Sequence, residues 1–439
     1  MGVLLPWQPN QEPADSDQSN PKTLYSDSSS SSSKSFSSLA SQPSLPSVPS
    51  LTASISSLIE HPFSSSKTSH HCLLATLKGG GSYIFCLSLA GKHLYCGSSN
   101  GDILVSGKDP SQDNGNSNSS SLRLVAQSGS AVKSIVILGD KLISAHQDHR
   151  IRVWKIDNEL THHHHRKHKY YKCIATLPTL NDRCMKLFSA KNYVEVRRHK
   201  KCTWVHHVDT VSAMALSADG ALLYSVSWDR TLKVWRTSDF KCLQSIWNAH
   251  DDAINAVALS HDGLAVYTGS ADKKIKVWKV HGGSDKRLSL NLAATLEKHK
   301  STVNALALST DGFVLYSGAC DRSIIVWEKD GGGGPMVVAG ALRGHTKAIL
   351  SLAVVAELVL SGSADKTVRV WKRGVGKSYF CVGVLEGHSG PVKCLTATLD
   401  KKNNNTKDEE GNCGNSYMVY SGSLDCDVKV WRIWVPNNV

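Results

Sequence analysis

An eleven-residue phrase, SVSWDRTLKVW, ends at Trp235 and then returns four times: TGSADKKIKVW to Trp278, SGACDRSIIVW to Trp327, SGSADKTVRVW to Trp371 and SGSLDCDVKVW to Trp431. Two weaker copies precede it, SAHQDHRIRVW to Trp154 and CGSSNGDILVS to Ser106, which makes seven units from residue 71 onward. Before each unit stands a short alternating apolar stretch, such as VSAMALS (211–217), INAVALS (254–260) or VNALALS (303–309). Short alternating stretches bounded by Gly, Asp and Ser turns read as antiparallel strands. A unit this small cannot bury its own apolar face and must stack on its neighbours. The fold predicted is therefore all-β: a seven-bladed propeller of four-stranded blades.

These phrases resemble the WD-repeat family over nearly all of residues 71–439. A four-residue pattern carries the likeness: His207, Ser225, Asp229 and Trp235; His250, Thr268, Asp272 and Trp278; His299, Ser317, Asp321 and Trp327; His345, Ser361, Asp365 and Trp371; His388, Ser421, Asp425 and Trp431. His precedes Asp by 22 residues in the first three sets, by 20 in the fourth, and by 37 in the last, where KKNNNTKDEEGN intervenes. The resemblance implies that each set is a hydrogen-bonded staple. Ser, His and Asp also compose a catalytic triad, but a nucleophile needs an exposed Oγ beside an oxyanion hole. A trio that recurs in every blade reads as structure, so no enzymatic activity is expected. The first two copies lack the His, and the first has Cys96, Asn100 and Ser106 in place of other members; those blades are expected to be the softest.

Ring closure follows from counting. Only eight residues follow Trp431, too few for a fourth strand in the last unit. CLLATL (72–77) resembles CIATL (173–177) and LAATL (292–296), both in fourth-strand positions, so the N-terminal strand should complete the last blade and remove its open edge.

Residues 1–70 hold 23 Ser and 8 of the 13 Pro, a composition that cannot offset its ordering entropy, and read as a disordered tail. Within it Leu51, Ile55, Leu58 and Ile59 fall at helical spacing behind Ser50, which predicts a transient or partner-docking helix. No apolar run approaches the roughly 18–20 residues that a membrane helix needs. The opening MGVLLPWQPN lacks the basic start and apolar length of a signal peptide. Twelve Cys without a CxxC pair read as free thiols of a reducing compartment, so an intracellular protein is expected.

The net charge of +13 is concentrated in an insertion at about 155–206, which has 12 Lys+Arg against 4 Asp+Glu. Its HHHHRKHK (162–169) reads as a solvated loop, an unselective metal chelator or an anion-facing run. Its RRHKK places Arg197, Arg198, Lys200 and Lys201 together as an import signal, a phosphate-facing patch or plain surface. The wider block, NDRCMKLFSAKNYVEVRRHKKCTWVHHVDTVSAMALS, resembles plant WD-repeat proteins of the JINGUBANG type. That resemblance implies a plant regulatory protein of cytosol and nucleus with a transcription-factor partner and a part in pollen germination. GKS (376–378) lacks the upstream Gly of a phosphate loop, and no metal or cofactor motif is present; none is expected. An adaptor of a cullin-type ubiquitin ligase would carry Trp, acidic, any, Arg; here only Trp327–Glu328 begins that way, and Asp330 takes the Arg place.

The leading function is therefore a non-enzymatic protein-interaction scaffold acting with a transcription factor or signalling partner. The alternatives are nucleic-acid or phosphate binding by the insertion, or a substrate adaptor of a ubiquitin ligase. By the family resemblance, the partner face is lined by Trp228, Asn255, Asn304, Leu350 and Lys393, joined from the weaker copies by Lys133, Tyr83 and Phe85. Trp228 stands out because a turn residue has no folding requirement for so large a ring.

Overall fold

The computed structural model describes residues 48–52, 69–109, 122–156, 171–187, 193–197, 200–282, 288–329, 334–374, 377–400, 406–407 and 413–436. Blade 3 shows the plan: strand a (Val211–Leu216), strand b (Leu222–Ser227), strand c (Leu232–Arg236) and strand d (Cys242–Ile246) form one antiparallel meander. Blades 1, 2, 4, 5 and 6 repeat the order. In blade 7 the chain supplies only three long strands, Val392–Leu399, Cys413–Ser423 and Asp427–Pro436. Its fourth is His70–Lys78, which pairs along strand c from Trp434 to Asp427. The short strand Thr406–Lys407 adds to strand b of the same blade.

Each strand a lies beside strand a of the next blade, from blade 1 round to blade 7 and back to blade 1. Strands a therefore form the inner ring and strands d the rim. Strand b in mid-blade is buried almost throughout (Leu223–Ser227 in blade 3), because blades cover it on both faces. The core is accordingly seven apolar clusters, one between each consecutive pair of blades. Ile143, Val153 and Leu177 of blade 2 meet Met214, Leu223 and Trp235 of blade 3; Tyr420 and Val428 of blade 7 meet Ile84 and Leu94 of blade 1.

One irregularity recurs in all seven blades. The pairing of strands a and b skips the second residue of strand a: Val211 faces Ser227, and the next pair is Ala213 with Val226. The residues left out are Phe85, Lys133, Ser212, Asn255, Asn304, Leu350 and Lys393. A bulge re-aims its extra side chain away from the sheet, so the inner ring carries seven such side chains at one end.

Two expectations need correction. The disordered tail was drawn through residue 70, yet Val48–Thr52 lie in extended form against blades 5 and 6. Leu51 is thus part of no helix; Ile55, Leu58 and Ile59 lie outside the described residues. Within the basic insertion, Lys172–Leu177 form strand d of blade 2, the fourth-strand place expected for CIATL. Beyond that strand come a helix, Leu180–Leu187, and a hairpin, Tyr193–Arg197 with Lys200–Thr203. Thr179 Oγ1 caps the helix by accepting from Asp182 N at 3.2 Å. Asp182, buried, accepts the backbone N–H of Cys242 at 2.8 Å and so ties the helix to the rim of blade 3. HHHHRKHK lies outside the described residues.

Candidate partner-binding face

In blades 3 to 7 the tetrads assemble with little variation. Trp Nε1 donates to the hydroxyl on strand b at 2.8–2.9 Å. The hydroxyl meets His Nε2 at 2.8 Å. His Nδ1 lies 2.7–3.2 Å from the Asp carboxylate. The same carboxylate accepts the N–H of the residue after the His (Val208 to Asp229, 2.8 Å) and that of the residue two beyond itself (Thr231, 2.9 Å). Ser225, His207 and Trp235 are all within 2% of full burial, so no substrate reaches that hydroxyl. These are staples that pin strand a's approach, the b–c turn and strand c together.

Their electrostatics follow from burial. Burial works to raise the Asp229 carboxyl, but His207 and Thr231 outweigh it and hold the group below the usual carboxylate range. Against the same opposition from burial, hydrogen bonds to His250 and to Thr367 and His345 bring Asp272 and Asp365 each down to about 2. Burial pushes His207, His345 and His388 down, only partly opposed by their aspartates.

Blade 2 contains a substitute that sequence reading missed. His146, on strand b itself, places Nε2 2.7 Å from Ser144 Oγ, which accepts Trp154 Nε1 at 2.7 Å. Its Nδ1 meets Ser130 O at 3.1 Å, and Asp148, freed from the staple, pairs with Arg152 at 2.5 Å. The signal was available: SAHQD puts a His two residues after the Ser, on the same face of a strand. Blade 1 has a smaller device in which Ser98 Oγ donates to Asn100 Oδ1 at 2.5 Å and to Asp102 O.

The residues expected to meet a partner divide in the structure. Phe85, Lys133, Asn255, Asn304, Leu350 and Lys393 are all bulge residues of the inner ring. Two of them are committed to the fold: Asn255 Nδ2 donates to Val303 O at 3.1 Å and Asn304 Nδ2 to Ile349 O at 2.8 Å, each on the next blade. Ser212 Oγ does the same toward Ile254 O. On the other side of the ring the matching carbonyls receive only weak thiol donors, Cys86 Sγ to Val132 O at 3.8 Å and Cys394 Sγ to Ile84 O at 3.9 Å. Among the described residues the bulge residues there make no such bond. Lys133 Nζ sits 4.1 Å from the centre of the Phe85 ring and 5.7 Å from that of Trp228, which is 41% exposed. Trp228 is held in its turn by its own N–H, which donates to Thr210 O at 3.0 Å. Tyr83, half exposed, donates its N–H to Ser99 Oγ at 3.1 Å. Burial lowers the affinity of Lys133 for its proton, and the Lys393 ammonium lowers it further; Lys393 is lowered by its own burial. Among the described residues neither ammonium has a carboxylate partner. The side chains of Arg197, Arg198, Lys200 and Lys201 lie outside the described residues; the backbone sets their run at the connection of the hairpin.

The sequence profile of the WD40 family (WD domain, G-beta repeat) matches residues 199–236, 240–279, 290–328, 337–372 and 379–432, the five blades with complete tetrads. The chain belongs to the WD40-repeat family, and blades 1 and 2 extend the same architecture beyond the matched residues. Similar curated proteins include pre-mRNA-processing factor 19 of Oryza sativa subsp. japonica, 40% identical over 63 residues, which are 14% of this chain and 12% of that one. Mitochondrial division protein 1 of Aspergillus niger is 37% identical over 75 residues, 17% of this chain and 8% of that one. Cell division control protein 4 of Candida albicans is 30% identical over 98 residues, 22% and 12% respectively. The chain thus matches only about a tenth of the length of these relatives.

Proposed function

We propose that this chain is a protein-interaction scaffold that receives an acidic segment of its partner at the mouth of the inner ring, between blades 7 and 3. The supporting observation is the row Lys393, Phe85, Lys133 and Trp228: two half-buried ammonium groups with no carboxylate partner among the described residues, interleaved with two aromatic rings. Desolvated cations gain most from a carboxylate that fills the place of the missing partner. Exposed Trp is also the residue most often found to anchor a protein interface. The likeness of residues 181–217 to the JINGUBANG type supports a finer reading: a plant regulatory protein of cytosol and nucleus, with a transcription factor as partner and a role in pollen germination. Trp228→Ala and Lys133→Ala are expected to fold like wild type yet bind a purified partner at least tenfold more weakly, since an anchor of this kind is worth about 2 kcal/mol. Trp235→Ala, which removes a staple, should lose fold and binding together. Wild-type affinity in both face variants would exclude this face.

A second reading rests on RRHKK, whose Arg197 and Lys200 pair at the end of the hairpin ladder. If that run contacts phosphates, replacing its four basic residues by Gln should flatten the slope of log K against log salt for a polyanion by several units.

A further inference from the structure

The rim seams between consecutive blades are closed in different ways. At the seam of blades 3 and 4, Leu290 N donates to Oε1 of Gln244, from strand d of blade 3, at 3.1 Å. Tyr379 takes the place of Leu290 in blade 6, since each pairs with the residue two beyond the strand-c Trp. The place of Gln244, opposite the Val before that Trp, is held in blade 5 by Gly340. Glycine offers no amide, and Tyr379 N donates instead to Leu51 O at 2.9 Å.

That carbonyl belongs to a short segment wedged along the seam. On the blade 5 side, Leu51 N donates to Ala341 O and Ala341 N to Pro49 O, both at 2.9 Å. Ser50 and Thr52 form parallel bridges with Ala341 and Tyr379, so the segment joins the two blades as an extra strand. The Leu51 side chain packs on the cluster that includes Tyr316, Leu342 and Tyr379. A Cβ at Gly340 would stand 2.4 Å from Leu51 Cγ, so the pocket exists because residue 340 has no side chain. Thr52 Oγ1 accepts Arg343 N at 2.9 Å and lies 3.3 Å from Arg343 O, while Arg343 Nη2 donates to Val48 O at 3.0 Å. Backbone pairing reads an extended chain, the glycine pocket reads Leu51, and the Arg343 backbone reads the Thr52 hydroxyl. This is strand addition with side-chain pockets, the form in which many domains recognise peptides.

We propose that the seam between blades 5 and 6 is a peptide-recognition groove for an extended Val-Pro-Ser-Leu-Thr sequence, and that residues 48–52 are its resident, exchangeable ligand. Exchange follows from the structure of the site. The segment is a handful of residues, bound to an already complete propeller, and can leave without opening a blade.

The test uses the full chain and a labelled synthetic peptide of residues 46–54, followed by fluorescence anisotropy. In the Leu51→Asp chain the resident segment is weakened and the groove is open, so the peptide should bind. It should bind wild type at least tenfold more weakly, because that groove is occupied. A peptide carrying the same Leu51→Asp change should bind neither chain, and adding Gly340→Val to the open chain should abolish binding with the melting temperature retained. Hydrogen exchange supplies a second measurement that does not depend on the Gly340 variant: Leu51→Asp should speed exchange in 336–342 and 379–385 at least tenfold and leave 289–297 unchanged. The proposal is overturned if the peptide fails to bind the Leu51→Asp chain, if it binds both chains equally, if the Asp peptide binds as well, or if exchange at the seam does not change.

Discussion

Asp229 and Asp148 occupy the same place in consecutive repeats, and the structure gives them opposite weights. Asp229 has a side chain only 2% exposed and accepts from Val208 N, Thr231 N and Thr231 Oγ1 while facing His207 Nδ1. Asp229→Ala leaves those donors in a space that water does not reach. A buried donor left without an acceptor costs about 1–3 kcal/mol, and several are left here, so about 4 kcal/mol in all is expected. Asp148 has a side chain 31% exposed and holds Arg152 and the N–H of Arg150. Arg152 is largely buried, but the Asp148 carboxylate is open to water, which replaces its contacts in Asp148→Ala, so the cost stays near the roughly 1 kcal/mol upper end for surface pairs. The unfolding entropy of a propeller spanning residues 70–439 is large, at about 2.1 cal/mol/K per residue, so 1 kcal/mol moves the melting temperature by roughly 1.3 °C. Differential scanning calorimetry should therefore show a fall of about 5 °C for Asp229→Ala and about 1 °C for Asp148→Ala. Equal shifts, or the larger one at Asp148, would refute the view that the tetrad aspartates act through burial rather than through repeat position.

Acid should unfold the protein in two stages, which a melting-temperature series across pH can resolve. His146 is lowered to about 4, mainly by burial, and His207, His345 and His388 are lowered too; the folded state keeps them neutral while the unfolded state takes up protons, so stability falls from about pH 6.5 downward. Asp272 and Asp365, at about 2 in the folded state, add stability that is full above pH 4 and is lost as pH drops toward 2; a flat profile between pH 6.5 and 4 would contradict the histidine part. Deleting residues 1–69 should leave a closed propeller, whereas deleting 1–78 exposes the edge of Asp427–Pro436 and should cause concentration-dependent aggregation in light scattering. Asp182→Ala should loosen the helix Leu180–Leu187 from blade 3, seen as faster exchange of the Cys242 amide, with the tetrads undisturbed.

The repeat determined the number of blades, and the reason is local. Period-two alternation, Gly-Asp turns and a His, hydroxyl, Asp and Trp at fixed offsets each specify their own few residues, and stacking then has one outcome. Even closure was legible, because strand c of blade 7 needs a partner and one spare strand of matching pattern stood at residues 72–77. The site was half legible. The ring positions could be named from the repeat, but not that Asn255 and Asn304 spend their amides on the next blade while Lys133 and Lys393 remain without carboxylates; that depends on what stands across a seam. His146 escaped because the staple was sought before strand a, and geometry accepts an imidazole from strand b if it reaches the same hydroxyl. Val48–Thr52 escaped for a stronger reason. The spacing from Leu51 onward pointed to a helix, and what orders VPSLT as a strand instead is the missing side chain of Gly340, nearly three hundred residues away in the chain. Sequence patterning decides elements whose partners repeat with them; only the assembled rim decides which unpatterned segment finds a seat.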